Sequence, residues 1–200
     1  VRTNLPGALA ALALLVTTHA NLAHDAPLHR VDVDVVDYVR LPGGDISEAE
    51  HRTHAILATA GVDAVWRGTT HVTAAADGVT VLLLRPSMAV RQLTMESLGH
   101  RILGLAAAEP ARRVWVHASA VAEQATALHT STGQLLAHVI AHETLHVLAR
   151  LPHTSGGLMS RSPRLIGDGL DETLTAAERL QVATALQARE KPIQLAARQR

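Results

Sequence analysis

Residues 142–153 read HETLHVLARLPH, with three histidines and one glutamate within twelve positions. His142 and His146 are four apart, so on an α-helix they share one face, about one turn from each other. Two imidazoles at that spacing can hold one zinc ion. Glu143 follows the first of them, rotated by about 100° around the helix, and can lean toward a water on the metal. Zinc lowers the pKa of such a water to roughly 7, and a neighbouring carboxylate takes its proton as the water attacks a peptide carbonyl.

Two histidines do not complete such a site, because a catalytic zinc usually has three protein ligands and one open position. His153 is the nearest candidate for the third. Pro152 disfavours helix at Leu151, which ends the helix near Arg150 and lets His153 swing back toward the metal. Glu172 and Glu178 are the alternatives, although GDGLDETLTAAERL reads as an ordinary helix start capped by Asp171 or Thr173. His138, four before His142, reads as a partly buried hydrogen-bonding histidine, with a supporting place beside the metal as the other reading. The chain has no cysteine, which excludes thiolate ligands, disulfides and a cysteine nucleophile. Any metal must be held by His, Asp or Glu.

The helix that carries this pattern, GQLLAHVIAHETLHVLAR over 133–150, contains no proline. Leu135, Leu136, Val139, Ile140 and Val147 form a broad apolar face. Leu145 and Leu148 extend it, so the helix should be buried over most of its circumference. Glu143 is its only charged side chain between Gln134 and Ala149, with no Lys or Arg at i±3 or i±4. A buried lone carboxylate is expensive unless something pairs with it or uses it. Packing alone gives no reason for a glutamate there; catalysis does.

The run HETLHVLARLPH followed by TSGGLMS resembles the metzincin clan of zinc metallopeptidases. The resemblance implies His142, His146 and His153 as zinc ligands, Glu143 as general base, and Met159 of GGLM in a tight turn beneath the metal. The element order from about Val31 to Arg189 is compatible with such a domain, but the specific residues all lie in 138–160. Two features depart from the usual pattern. Ala149 stands where metzincins have a glycine, and the interval to the third histidine is one residue longer, with Arg150 the residue expected to loop out. The tyrosine that some metzincins carry after the turn is also missing, since the only tyrosine is Tyr38.

The rest of the chain must position these groups. Its 200 residues suffice for one domain, and 18 basic residues balance 18 acidic ones, with no basic stripe for nucleic acid. Residues 1–23 read as a secretory signal peptide: Arg2, an apolar run from Leu5 to Val16, then small residues at Ala20 and Ala23. That run is short of the roughly 20 residues that span a bilayer. Residues 24–200 then form a single secreted domain, monomeric, with no stable membrane insertion after cleavage and with polypeptide as its partner.

Alternation predicts a strand over 29–40, with Val31, Val33 and Val35 inward and Asp32 and Asp34 outward. The latter two with Asp37 read as a solvated face rather than a calcium site. A capping box of Ser47 and Glu50 opens a helix to about Ala60, ended by Gly61. Strands follow around 64–73 and, centrally, 79–86; residues 87–104 read as mostly helical. A strand at 112–121 is expected at an edge, where it would bind substrate backbone by β-augmentation. The C-terminal helix, 173–189, directs Leu174, Ala177, Leu180, Val182 and Leu186 inward. The fold class is α/β (α+β), a mixed twisted sheet packed on the zinc-binding helix. The expected activity is that of a secreted zinc-dependent endopeptidase using a zinc-activated water with Glu143 as base. The alternative is a secreted zinc-binding domain without peptidase activity.

Overall fold

The computed structural model describes residues 28–68, 78–88, 102–108 and 111–197, with side chains to residue 189. The proposed signal peptide lies outside the described residues, as does most of the stretch read as helical over 87–104.

Five strands form one mixed sheet: β1 (His29–Asp37), β2 (Val62–Gly68), β3 (Val79–Leu84), β4 (Gly104–Ala107) and β5 (Arg113–His117), in the order β2-β1-β3-β5-β4. All neighbours are parallel except β4, which runs antiparallel to β5 with Leu105 opposite Trp115. The unbroken apolar run VTVLLL is explained by the central position of β3, which is buried along its whole length. Its Val79, Val81 and Leu83 face the main core, while Leu82 and Leu84 join Val36 in a small cluster on the other side.

Helix α1 (Gly43–Ala58) and helix α3 (Thr132–Ala149) pack against each other and against the sheet; α2 (Ala118–Ala127) and α4 (Ala176–Ala197) pack on α3. The apolar face of α3 read from sequence is the centre of the core, with Leu135, Leu136, Ile140, Leu145 and Val147 fully buried. Ser131 caps α3, its hydroxyl accepting the Gln134 N–H at 3.0 Å, and Glu48 of α1 accepts the Ser131 hydroxyl at 2.7 Å. At the other end, carbonyls that a helix leaves unsatisfied are met from α4. Gln181 donates to the Ala149 carbonyl and Arg189 to that of Val147. Among the described residues, no helix is long and apolar enough to cross a membrane.

Several sequence expectations need correction. Helix α1 starts at Gly43 behind Pro42, not at Ser47, which lies inside it. Asp34 is buried rather than solvated; Asp32 pairs with Arg67 at 3.0 Å, and Asp37 accepts the N–H groups of Val39, Arg40 and Leu41 in the turn that ends β1. Strand β5 is internal and stops at His117, where α2 begins, so the expected edge strand is not the edge. That place belongs to β4, which begins at Gly104, where the stretch read as helical ends. Thr175, not Asp171 or Thr173, caps α4, in a reciprocal box with Glu178 (2.7 and 3.2 Å). Leu180 points to solvent at 69% exposure and Ala177 is exposed too, so the inward face of α4 is Glu178, Val182 and Leu186, with Leu174 buried just before the helix.

Candidate active site

The buried helix α3 brings His142 and His146 to one end of a cleft of about 690 Å³, and the chain after it brings His153 to the same point. The three Nε2 atoms converge, at 3.0 Å for His142 and His146, 3.2 Å for His146 and His153, and 3.3 Å for His142 and His153. Their arrangement is fixed from behind. His142 Nδ1 donates to the Leu158 carbonyl at 2.7 Å, and His146 Nδ1 donates to the Leu151 carbonyl at 2.6 Å. A carbonyl can only accept, so both Nδ1 atoms carry the proton and both Nε2 atoms present a lone pair.

Lone pairs at that distance repel unless a cation lies between them. A tetrahedral ion about 2.0–2.1 Å from each nitrogen needs nitrogens about 3.3 Å apart, close to the triangle found here. The three histidines are the one group of metal-capable side chains that converges among the described residues. Protonation, the other way to relieve the repulsion, is opposed by burial. His142 is pushed down to about 3, first by desolvation and then by the neighbouring histidines; His146 and His153 are lowered, again first by desolvation. This donor set suits a borderline cation such as zinc.

The route to His153 explains the longer spacer. Helix α3 runs on through Ala149, the very position where the resemblance expects glycine. Arg150 itself takes the left-handed conformation (φ 52°, ψ 39°), its N–H donating to the His146 carbonyl at 3.0 Å. The extra residue therefore lengthens the helix, and the reversal comes one step later. A tight turn follows, with Thr154 N–H on the Met159 carbonyl and Ser160 N–H on the Gly157 carbonyl. Gly157 has φ +70°, and a Cβ there would come within 2.5 Å of the Thr173 carbonyl, so this position requires glycine. Met159 is wholly buried in the core. Asp171 locks the turn by accepting the Gly157 N–H at 2.8 Å and the Thr173 hydroxyl at 2.6 Å.

Glu143 is 8% exposed, and no hydrogen bond engages its carboxyl among the described residues; its Oε1 lies 4.0 Å from His142 Nε2. Desolvation raises its pKa to about 8. Strand β4 lies directly over it. A Cβ on Gly104 would fall 2.8 Å from Val139 Cγ1, 2.9 Å from Glu143 Cγ and 3.0 Å from its Oε1. His117 ties that strand in place, its backbone N–H donating to the Leu103 carbonyl (2.9 Å) and its Nδ1 to that of Ile102 (3.1 Å).

The structure thus brings together His142, His146, His153 and Glu143. Glu172 and Glu178 do not line the cleft, and Glu178 is engaged in the cap of α4. His138 does line it, buried, with Nδ1 unpartnered and the pKa lowered to about 4 by desolvation. Tyr38 packs beside Trp115 against the small cluster on the far face of the sheet. Sequence reasoning missed Gly104, the two carbonyls behind the histidines, and Arg161, which lines the cleft beside His153. Only the small-residue run GLAAA hinted at the first, as a segment suited to close approach.

Comparison with family models finds no match, and comparison with curated proteins finds none. Among solved structures, the chain is similar to archaemetzincin from Methanopyrus kandleri, at a TM-score of 0.52 and 11% identity, covering 83% of this chain and 99% of that one. The five-stranded mixed sheet over α3 is a metzincin-like fold.

Proposed function

We propose that this chain is a zinc-dependent endopeptidase. The observation that carries the reading is the convergence of three Nε2 atoms within 3.3 Å of one another beside a buried, unpaired carboxyl. His142, His146 and His153 would hold the metal, which when bound supplies a Lewis acid that acidifies water and polarises a carbonyl. A cation held by the three histidines would offset the desolvation that raises Glu143 and keep its carboxyl ionised, and the carboxylate takes the proton of the attacking water and passes it to the leaving amine. The outer edge of β4, open among the described residues, accepts the substrate backbone as an added strand and lays its scissile carbonyl beside Glu143. Met159 and its turn support the imidazoles from below. The leader-like residues 1–23 support work outside the cytoplasm.

Metal content of the untagged chain tests this reading. About one zinc per chain is expected, lost in His153→Ala and kept in Glu143→Gln, with hydrolysis of denatured protein down about 10²–10⁴-fold in the latter. No stoichiometric metal after reconstitution sinks the proposal. Zinc retained by a wild-type chain as inert as Glu143→Gln leaves a metal-binding domain without peptidase activity.

A further inference from the structure

Among the described residues, Glu143 is the one carboxylate that lines the cleft, whereas two guanidinium groups do so. Arg150 ends α3 and Arg161 follows the Met159 turn, so the two bracket the segment that carries His153. Both side chains are exposed, and neither makes a hydrogen bond or ion pair with the described residues. Arg52 pairs with Glu48, Arg67 with Asp32, and Arg179 and Arg189 with backbone carbonyls; Arg40, Arg113 and Arg164 are exposed too, and it is their place in the cleft that sets Arg150 and Arg161 apart. Arg161 lies near enough to His153 for its charge to oppose protonation of that imidazole. Asp171, the acid beneath the turn, is occupied by Gly157 and Thr173 and does not line the cleft. The remaining wall is largely apolar, including Leu103, Leu105, Val139 and Pro163.

An unpaired guanidinium in a concave, partly apolar wall attracts a carboxylate through a planar fork of donors and a focused field. We infer that the cleft selects peptides bearing a carboxylate near the cleaved bond, held by Arg150 and Arg161 on the His153 side. This rests on the peptidase reading above and narrows its substrate class. The carboxylate comes from an Asp or Glu side chain or from a free chain end.

The test uses the zinc-loaded full chain carrying Glu143→Gln and measures binding of N-terminally labelled peptides by fluorescence anisotropy. Peptides differ only in Asp, Asn or Lys at single positions, each with a free or an amidated C-terminus. Carboxylate peptides should bind about three- to thirtyfold tighter than neutral ones at low salt, with the gap narrowing as salt screens it. Adding Arg150→Glu with Arg161→Glu should reverse the order in favour of Lys peptides. Preference kept by amidated Asp peptides identifies a side chain; preference confined to free C-termini identifies the chain end. Equal binding of acidic and neutral peptides, or a preference that survives charge reversal, overturns this inference alone. No binding by any peptide, with no cleavage by the wild-type chain, overturns the peptidase reading and this one with it.

Discussion

At the scale of single residues, the site is an arrangement of groups held away from their ordinary protonation. Glu143 has a folded pKa near 8 against 4.5 for an unperturbed glutamate, so the folded chain holds its proton more tightly than the unfolded one. The stability this confers is full below pH 4.5 and is lost as pH rises through about 8. His138 and His142, lowered to about 4 and about 3 from 6.5, act in the opposite sense. Their contribution is full above pH 6.5 and is lost as pH falls through those values. The metal-free protein should therefore be most stable near pH 6.5. On the alkaline side its stability should fall by up to about 1.4 kcal/mol per pH unit, the limit for one proton. Urea unfolding at several pH values would check this. Glu143→Gln should flatten the alkaline limb and steepen the acid limb between pH 4.5 and 6.5, where Glu143 opposes the histidines; an unchanged alkaline limb would mean that another group titrates there. The lone buried glutamate and the histidine spacing were legible in the sequence because helical periodicity fixes both. The carbonyls that orient the imidazoles were not, since a backbone acceptor leaves no mark in residue type.

At the scale of elements, the Glu143 carboxyl depends on a strand that comes from elsewhere in the chain. Gly104 of β4 sits so close to Glu143 that one added methyl must displace it. Gly104→Ala should cut hydrolysis by on the order of 10²-fold, the usual cost of misplacing a reacting group by about an ångström. Zinc content should stay at the wild-type level, because no metal-facing nitrogen is touched. Parallel loss of metal and activity would instead mean that the substitution unfolds the site. This strand escaped the sequence reading for a physical reason. Its residues, GLAA, are poor strand formers by composition, and their smallness serves close approach to α3 rather than strand propensity. Strand β3, by contrast, announced itself through a run of β-branched and aliphatic residues that only a doubly covered strand can bury.

Across the whole molecule, the sheet, α1 and α4 serve to bury α3, and the order of elements from strand through long helix to C-terminal helix was readable from periodicity. What periodicity could not supply was strand order, which depends on non-local pairing, and the placement of β5 inside rather than at the rim. The segment from Arg150 to Thr173 joins the scales. It delivers His153, it carries both carbonyls that orient the helix histidines, and it is locked through Gly157 and Asp171. A change in that lock would therefore be felt as a change in chelation. Gly157→Ala, with its Cβ forced against the Thr173 carbonyl, should weaken zinc binding by about tenfold to a hundredfold, as loss of orienting partners does. Competition with a chelator of known affinity would measure it, and wild-type affinity would show that the loop tolerates the strain. Conversely, chelation should loosen this segment before the sheet, so a second protease added with EDTA should nick between Arg150 and Thr173 first. On the peptidase reading proposed above, that would make the bound metal the guard against digestion by a neighbouring copy: a chain that loses its ion would become a substrate of one that has kept it.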